Sequence, residues 1–160
     1  AGDLHWQRAS YLRNNLTRQS VDFVNVVQYD ATQPLPFGDE TFDTVFVDAP
    51  CSGTGTIRHN PEIRYFLQPD DFKELFGKQL LILTNASKLV KRGGSLIYST
   101  CSMEKEENEM VAKNFLAKDE SFAAAVPNVD ARFRTSGGFA RTWPHRDKMD
   151  GFFIAQFGKK

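Results

Sequence analysis

Cysteine is scarce in this chain: two residues, Cys51 and Cys101, among 160. Two thiols cannot build a disulfide scaffold, and neither has a second Cys or His at ligand spacing, which argues against a metal site. No apolar run approaches the roughly 20 residues needed to cross a bilayer, and nothing resembles a signal peptide. The expectation is therefore a cytoplasmic chain with reduced thiols and no membrane partner. Net charge is also absent, because 20 Lys and Arg balance 20 Asp and Glu, so composition alone does not announce a nucleic-acid binder. There is no strand–GxGxG–helix loop, internal repeat or low-complexity linker. Ala1-Gly2-Asp3 reads as the end of a strand, so the expected fold lacks its first strand and glycine-rich loop.

What is there suits one domain spanning residues 1–160. Helical composition runs from His5 to Arg18, and a Val- and Phe-rich strand from Phe23 to Tyr29 ends at Asp30. A second strand, Asp43 to Val47, ends at Asp48. Both are nearly continuous in apolar residues, as strands covered on both faces are. A long helix follows Pro69-Asp70-Asp71, with Phe72, Phe76, Leu80, Leu83, Ala86 and Val90 at helical spacing. It stops at Lys91-Arg92-Gly93-Gly94. Ser95 to Thr100 reads as a strand, Glu104 to Lys118 as a helix and Gly151 to Phe157 as a last strand. Such alternation predicts an α/β fold with a mostly parallel sheet, whose ligands sit beyond the carboxyl ends of the strands. Asp30, Asp48 and Cys101 all fall at such ends.

Charge is uneven along the chain. From Ala131 to Lys160 seven Lys and Arg face only Asp147 and Asp150, whereas from Cys101 to Glu120 six acids face three lysines. A basic C-terminal third could meet a polyanion, although a solvated mixed surface has the same composition. Arg141, His145 and Arg146 lie in a Trp- and Pro-containing segment just before the last strand, a suitable rim loop for phosphates. The alternative is that Arg141 pairs with an acid and His145 caps a turn.

The sharpest local signal is Asp48-Ala49-Pro50-Cys51-Ser52-Gly53-Thr54-Gly55. Pro50 fixes the backbone, the glycines permit close approach, and an acid and a thiol arrive side by side. The second is Ser99-Thr100-Cys101-Ser102. A lone Cys at a strand end is usually inert core, and an Asp there often caps a turn; two Cys-bearing strand ends together say more.

These two motifs resemble those of the Nop/Sun family of RNA cytosine-C5 methyltransferases. The resemblance extends to Asp3-Leu4-His5 with Arg8, to Gln28-Tyr29-Asp30, and to Arg141-Thr142-Trp143-Pro144-His145 followed by Asp150-Gly151-Phe152-Phe153. It implies a Rossmann-like methyltransferase fold with an antiparallel last strand, S-adenosylmethionine as cofactor, and structured RNA as partner, ribosomal ahead of transfer RNA. Asp3 with Arg8 would contact the cofactor ribose and Asp30 its adenine side, with Asp48 at the border of cofactor and base. Cys101 would be the nucleophile, Cys51 would help resolve the covalent adduct, and Asp48 would hold the cytosine. Pro50, Ser52, Arg141, His145 and Arg146 would face the substrate. The residues alone leave the two thiols tied, since a Pro-Cys pair carries the nucleophile in DNA cytosine methyltransferases. DNA specificity, and an RNA-binding remnant with idle cysteines, remain alternatives. Amino-group methylation is disfavoured, because it needs no thiol.

Overall fold

The computed structural model describes residues 1–160 as two units, Ala1–Phe37 and Gly38–Lys160. In the first, strand β1 (Gly2–Asp3) leads into helix α1 (Trp6–Arg18), and β2 (Val27–Gln28) pairs parallel to β1. Ala9 on α1 is buried. A Cβ on Gly2 would lie 2.0 Å from the Tyr29 ring, so a larger residue there would push that ring aside. The Val- and Phe-rich stretch expected as a seven-residue strand thus yields only two strand residues, and Phe23 is left 82% exposed.

The second unit carries β3 (Phe42–Asp48), α2 (Ile63–Phe66), α3 (Pro69–Ser87), β4 (Val90–Thr100), α4 (Glu109–Lys118), β5 (Phe122–Ala125), β6 (Ala140–Arg141), α5 (Pro144–Asp147) and β7 (Phe153–Lys159). Its sheet runs β3-β4-β7-β5, with β6 also on β7. Only β3 and β4 are parallel; β7 runs antiparallel to β4, β5 and β6. The expectation of a mostly parallel sheet is therefore corrected: the main sheet is mixed and largely antiparallel. The cause is β7, which inserts beside β4 and recruits two short strands that carry no periodic pattern. The first parallel pair belongs to a separate two-stranded sheet.

Helix α3 starts where its sequence says it should. Pro69 occupies its first turn, and the Gln68 and Asp71 side chains form a reciprocal capping box with the backbone. It ends earlier than the glycine pair suggests. Lys91-Arg92-Gly93-Gly94 lies inside β4, where Gly93 takes φ +77° and the register jumps from Phe42↔Val90 to Thr44↔Ser95. Cations followed by glycine here mark a bulge instead of a helix stop. Likewise α4 begins at Glu109 and not Glu104, and the segment before it is a turn.

The core fills one face of this sheet. Leu96, Tyr98, Phe153, Ala155 and Phe157 on the strands, Leu83 on α3, and Val111 and Phe115 on α4 are all essentially inaccessible. The Phe115 ring lies 5.0 Å from Phe157 and 5.3 Å from Phe122, tilted as aromatic quadrupoles prefer. The expected cover on both faces of β3 is not found, since Phe46 is 60% exposed. No helix is long and apolar enough to cross a membrane.

Candidate active site

In the first unit, parallel pairing sets Asp3 opposite Gln28, with Asp30 two residues beyond β2. The Asp3 carboxylate accepts the His5 backbone N–H at 2.9 Å and pairs with the Arg8 guanidinium at 3.1 Å. Asp30 accepts from both the N–H and the hydroxyl of Thr32, at 2.8 and 2.7 Å. Both acids are thus oriented at strand ends by their own local turns.

In the second unit, the parallel register matches Asp48 with Ser99, whose hydroxyl donates to the Asp48 carboxylate at 3.0 Å. The chain continues three residues to Cys51 on one strand and two to Cys101 on the other. As a result the two sulfurs lie 3.1 Å apart, both as free thiols. Adjacent parallel strands explain this meeting: each motif leaves the same edge at the same level.

Glycine makes the crossing possible. Gly53 adopts φ +74° to turn the loop. Gly55 donates its N–H to the Cys101 carbonyl at 2.9 Å and accepts from the Gly151 N–H at 2.8 Å. A Cβ on Gly55 would stand 2.1 Å from the Gly151 carbonyl oxygen. Three segments therefore lock together: the loop after β3, the loop after β4, and the turn before β7.

The thiols differ in environment. The hydrogen bond from Cys51 stabilises a Cys101 thiolate and brings its pKa down to about 7, against a smaller opposing effect of burial. Cys51 is driven far up, first by that same bond and then by burial. Across this hydrogen bond one thiolate held by one thiol is favoured over two, with Cys101 shifted down and Cys51 up.

Beside the thiols lies a polar cluster that joins Ser52 and Ser102 of the two motifs to Glu107 and Gln79, which no sequence motif marks. Glu107 is fully buried and accepts from the Ser52 N–H, the Ser52 hydroxyl, the Ser102 hydroxyl and the Gln79 amide. Gln79 also donates to the Pro50 carbonyl at 2.9 Å. Ser52 is accordingly engaged inward, whereas Pro50 is exposed. In sequence, Glu107 sits within a run of acids that reads as a solvated helix start.

The basic segment is less free than its composition suggests. Arg141 is 4% exposed, pairs with Glu109 at 3.1 Å, donates to the Met103 carbonyl at 3.2 Å and lies over the Trp143 and Phe153 rings. Burial lowers its pKa, and Glu109 and then Glu104 oppose that. Arg146 makes two 2.9 Å bonds to Asp147. His145 is exposed, and its ring lies 5.7 Å from Trp143. His145 and Arg146 belong to the segment that ends at Gly151, against the Cys51 loop.

The sequence model of the family described as 16S rRNA methyltransferase RsmB/F matches residues 1–158. The chain belongs to this family. The RsmB/F-family chain is 36% identical, over 99% of its length, to the probable ribosomal RNA small subunit methyltransferase B of Bacillus subtilis, covering 37% of that protein. The crystal structure of PH0851 superposes with a TM-score of 0.93 at 38% identity, over 99% of this chain and 36% of that one. NSun6 from Pyrococcus horikoshii, solved with SFG, gives 0.85 at 28% identity, over 99% and 40%. The chain thus spans a little over a third of the length of these relatives.

Proposed function

We propose that the protein methylates carbon 5 of a cytidine in structured RNA, using S-adenosylmethionine and a covalent cysteine adduct. The observation that carries this reading is the thiol pair, 3.1 Å apart at the ends of two adjacent parallel strands with a carboxylate at the same edge. Membership in a methyltransferase family supports the reaction class. Similarity to the probable ribosomal RNA small subunit methyltransferase B of Bacillus subtilis supports ribosomal RNA as substrate.

S-adenosylmethionine supplies an electrophilic methyl group. Asp3, held by Arg8, suits the ribose hydroxyls, and Asp30 and Asp48 suit the adenine side and the border with the base. Carboxylates that end strands are the acceptors such hydroxyl and amino donors need, and the NSun6 relative was solved with SFG.

The Cys101 thiolate adds to carbon 6 of cytosine, forming a C–S bond and pushing the ring's electron pair toward carbon 5. A proton shared between Asp48 and ring nitrogen 3 offsets the charge of that adduct. Carbon 5 then takes the methyl group, its proton leaves to a base, and the returning electron pair expels the Cys101 sulfur. Cys51, protonated and in contact with that sulfur, helps release the enzyme from its product. Pro50, His145 and Arg146 face the RNA, while Ser52 and Arg141 hold the walls of the site.

The test is transfer of labelled methyl from S-adenosylmethionine to ribosomal RNA by the protein carrying this chain, followed by nucleoside analysis. The label should appear in 5-methylcytidine. Label in another nucleoside, with none in 5-methylcytidine, would refute the proposal.

A further inference from the structure

We infer that Glu107 is the positioning residue that sets the separation of the two thiols, by pinning the residue that follows each of them. This rests on the reading of Cys51 and Cys101 as the reacting pair.

Four donors converge on one buried carboxylate. Ser52, directly after Cys51, donates its N–H at 2.8 Å and its hydroxyl at 2.5 Å. Ser102, directly after Cys101, donates its hydroxyl at 2.6 Å. Gln79 fills the last position at 2.8 Å and ties the same group to Pro50, directly before Cys51. The neighbouring Asn108 completes the bracket around Cys101: it accepts from the Thr100 hydroxyl and donates to the Ser102 carbonyl. The backbone of Glu107 is itself held, since its carbonyl accepts from the buried Tyr98 hydroxyl at 2.6 Å. No ion pair joins Lys or Arg to this carboxylate, which is held by neutral donors alone. Burying a charge without a countercharge is costly, and apolar packing would serve a purely structural need at less expense. A carboxylate offers the four acceptor directions that tether both loops to one point.

The experiment measures the pH dependence of Cys101 alkylation by iodoacetamide, read on the Cys101 peptide by mass spectrometry, with folding followed by circular dichroism. Glu107→Asp shortens the reach, so one serine is released, the Cys51 thiol no longer donates squarely, and the Cys101 midpoint rises by about one unit toward an ordinary thiol. Glu107→Gln keeps the reach, because its amide oxygen accepts while the serine hydroxyls turn to face its NH2. Its midpoint should stay at the parent value or fall slightly, since a nearby negative charge is gone. If Glu107→Asp does not fold, Ser102→Ala is read in the same way. A folded short variant with an unchanged midpoint overturns the inference. A protein that shows these midpoints but makes no 5-methylcytidine supports the positioning role and refutes only the proposed reaction.

Discussion

Gly55 and Gly77 bear the same substitution with opposite expected signs. A Cβ on Gly55 would stand 2.1 Å from the Gly151 carbonyl oxygen and 2.7 Å from that of Cys101. Both obstacles are backbone, so neither can rotate away. Relief requires a shift on the order of 1 Å in a close-packed interior. That shift stretches the Gly55–Cys101 and Gly55–Gly151 hydrogen bonds, now 2.9 and 2.8 Å. Overpacking costs about 1–3 kcal/mol and each lost hydrogen bond about 0.5–1.5, giving about 2–6 kcal/mol for Gly55→Ala. Gly77 lies inside α3 with nothing within 4 Å of its added Cβ. There alanine removes backbone entropy from the unfolded chain and should stabilise by about 0.5–1 kcal/mol. Urea unfolding followed by circular dichroism reads both, through a lower midpoint for Gly55→Ala and a slightly higher one for Gly77→Ala. Midpoints that agree within error would refute the claim that three segments interlock at Gly55.

Other consequences are as direct. Arg141→Ala strips a buried partner from Glu109 and opens the space between Trp143 and Phe153, so it should cost about 2–4 kcal/mol and leave the salt slope of RNA binding unchanged. Arg146→Ala should make that slope shallower by about one if this residue meets a phosphate, with folding retained; a fixed slope removes it from the interface. Cys101 alkylation should show a midpoint of about pH 7. Methylation should rise as pH increases through that midpoint, because the thiolate attacks, and Cys51→Ala should move the alkylation midpoint up toward roughly 8.5. Asp3→Ala should weaken S-adenosylmethionine binding roughly 30- to 1000-fold, as two charge-assisted hydrogen bonds disappear, without unfolding the protein. Calorimetry showing unchanged affinity would take Asp3 out of the site.

The ends of β3 and β4 were legible in the sequence because residue type and position coincide there. An acid or thiol that interrupts an apolar run marks where a strand stops, and Pro69-Asp70-Asp71 marks a helix start just as plainly. Sheet direction was legible only in part: the resemblance implied an antiparallel last strand, which β7 is, but not the short strands that β7 recruits. Phe122–Ala125 is a strand made mostly of alanine and Ala140–Arg141 a strand of two residues, and each is defined by the partner β7 and not by its own pattern. Propensity misled at Gly93, where a glycine read as a helix stop serves a bulge. Glu107 was hidden for a different reason: among Glu104, Glu106 and Glu109 nothing in residue type separates a buried acceptor from solvated neighbours. Arg141 read equally as a phosphate ligand or as the partner of an acid, because only tertiary structure brings Glu109, Trp143 and Phe153 around it.

In the proposed reaction Cys101 attacks while Cys51 helps release. This division of roles is tested most directly by trapping the protein on its RNA and resolving the product on a denaturing gel. Cys51→Ala should accumulate a slower-moving covalent complex, and Cys101→Ala should show neither complex nor methylation. A complex that accumulates with Cys101→Ala and is lost with Cys51→Ala would contradict the account and place the nucleophile on Cys51.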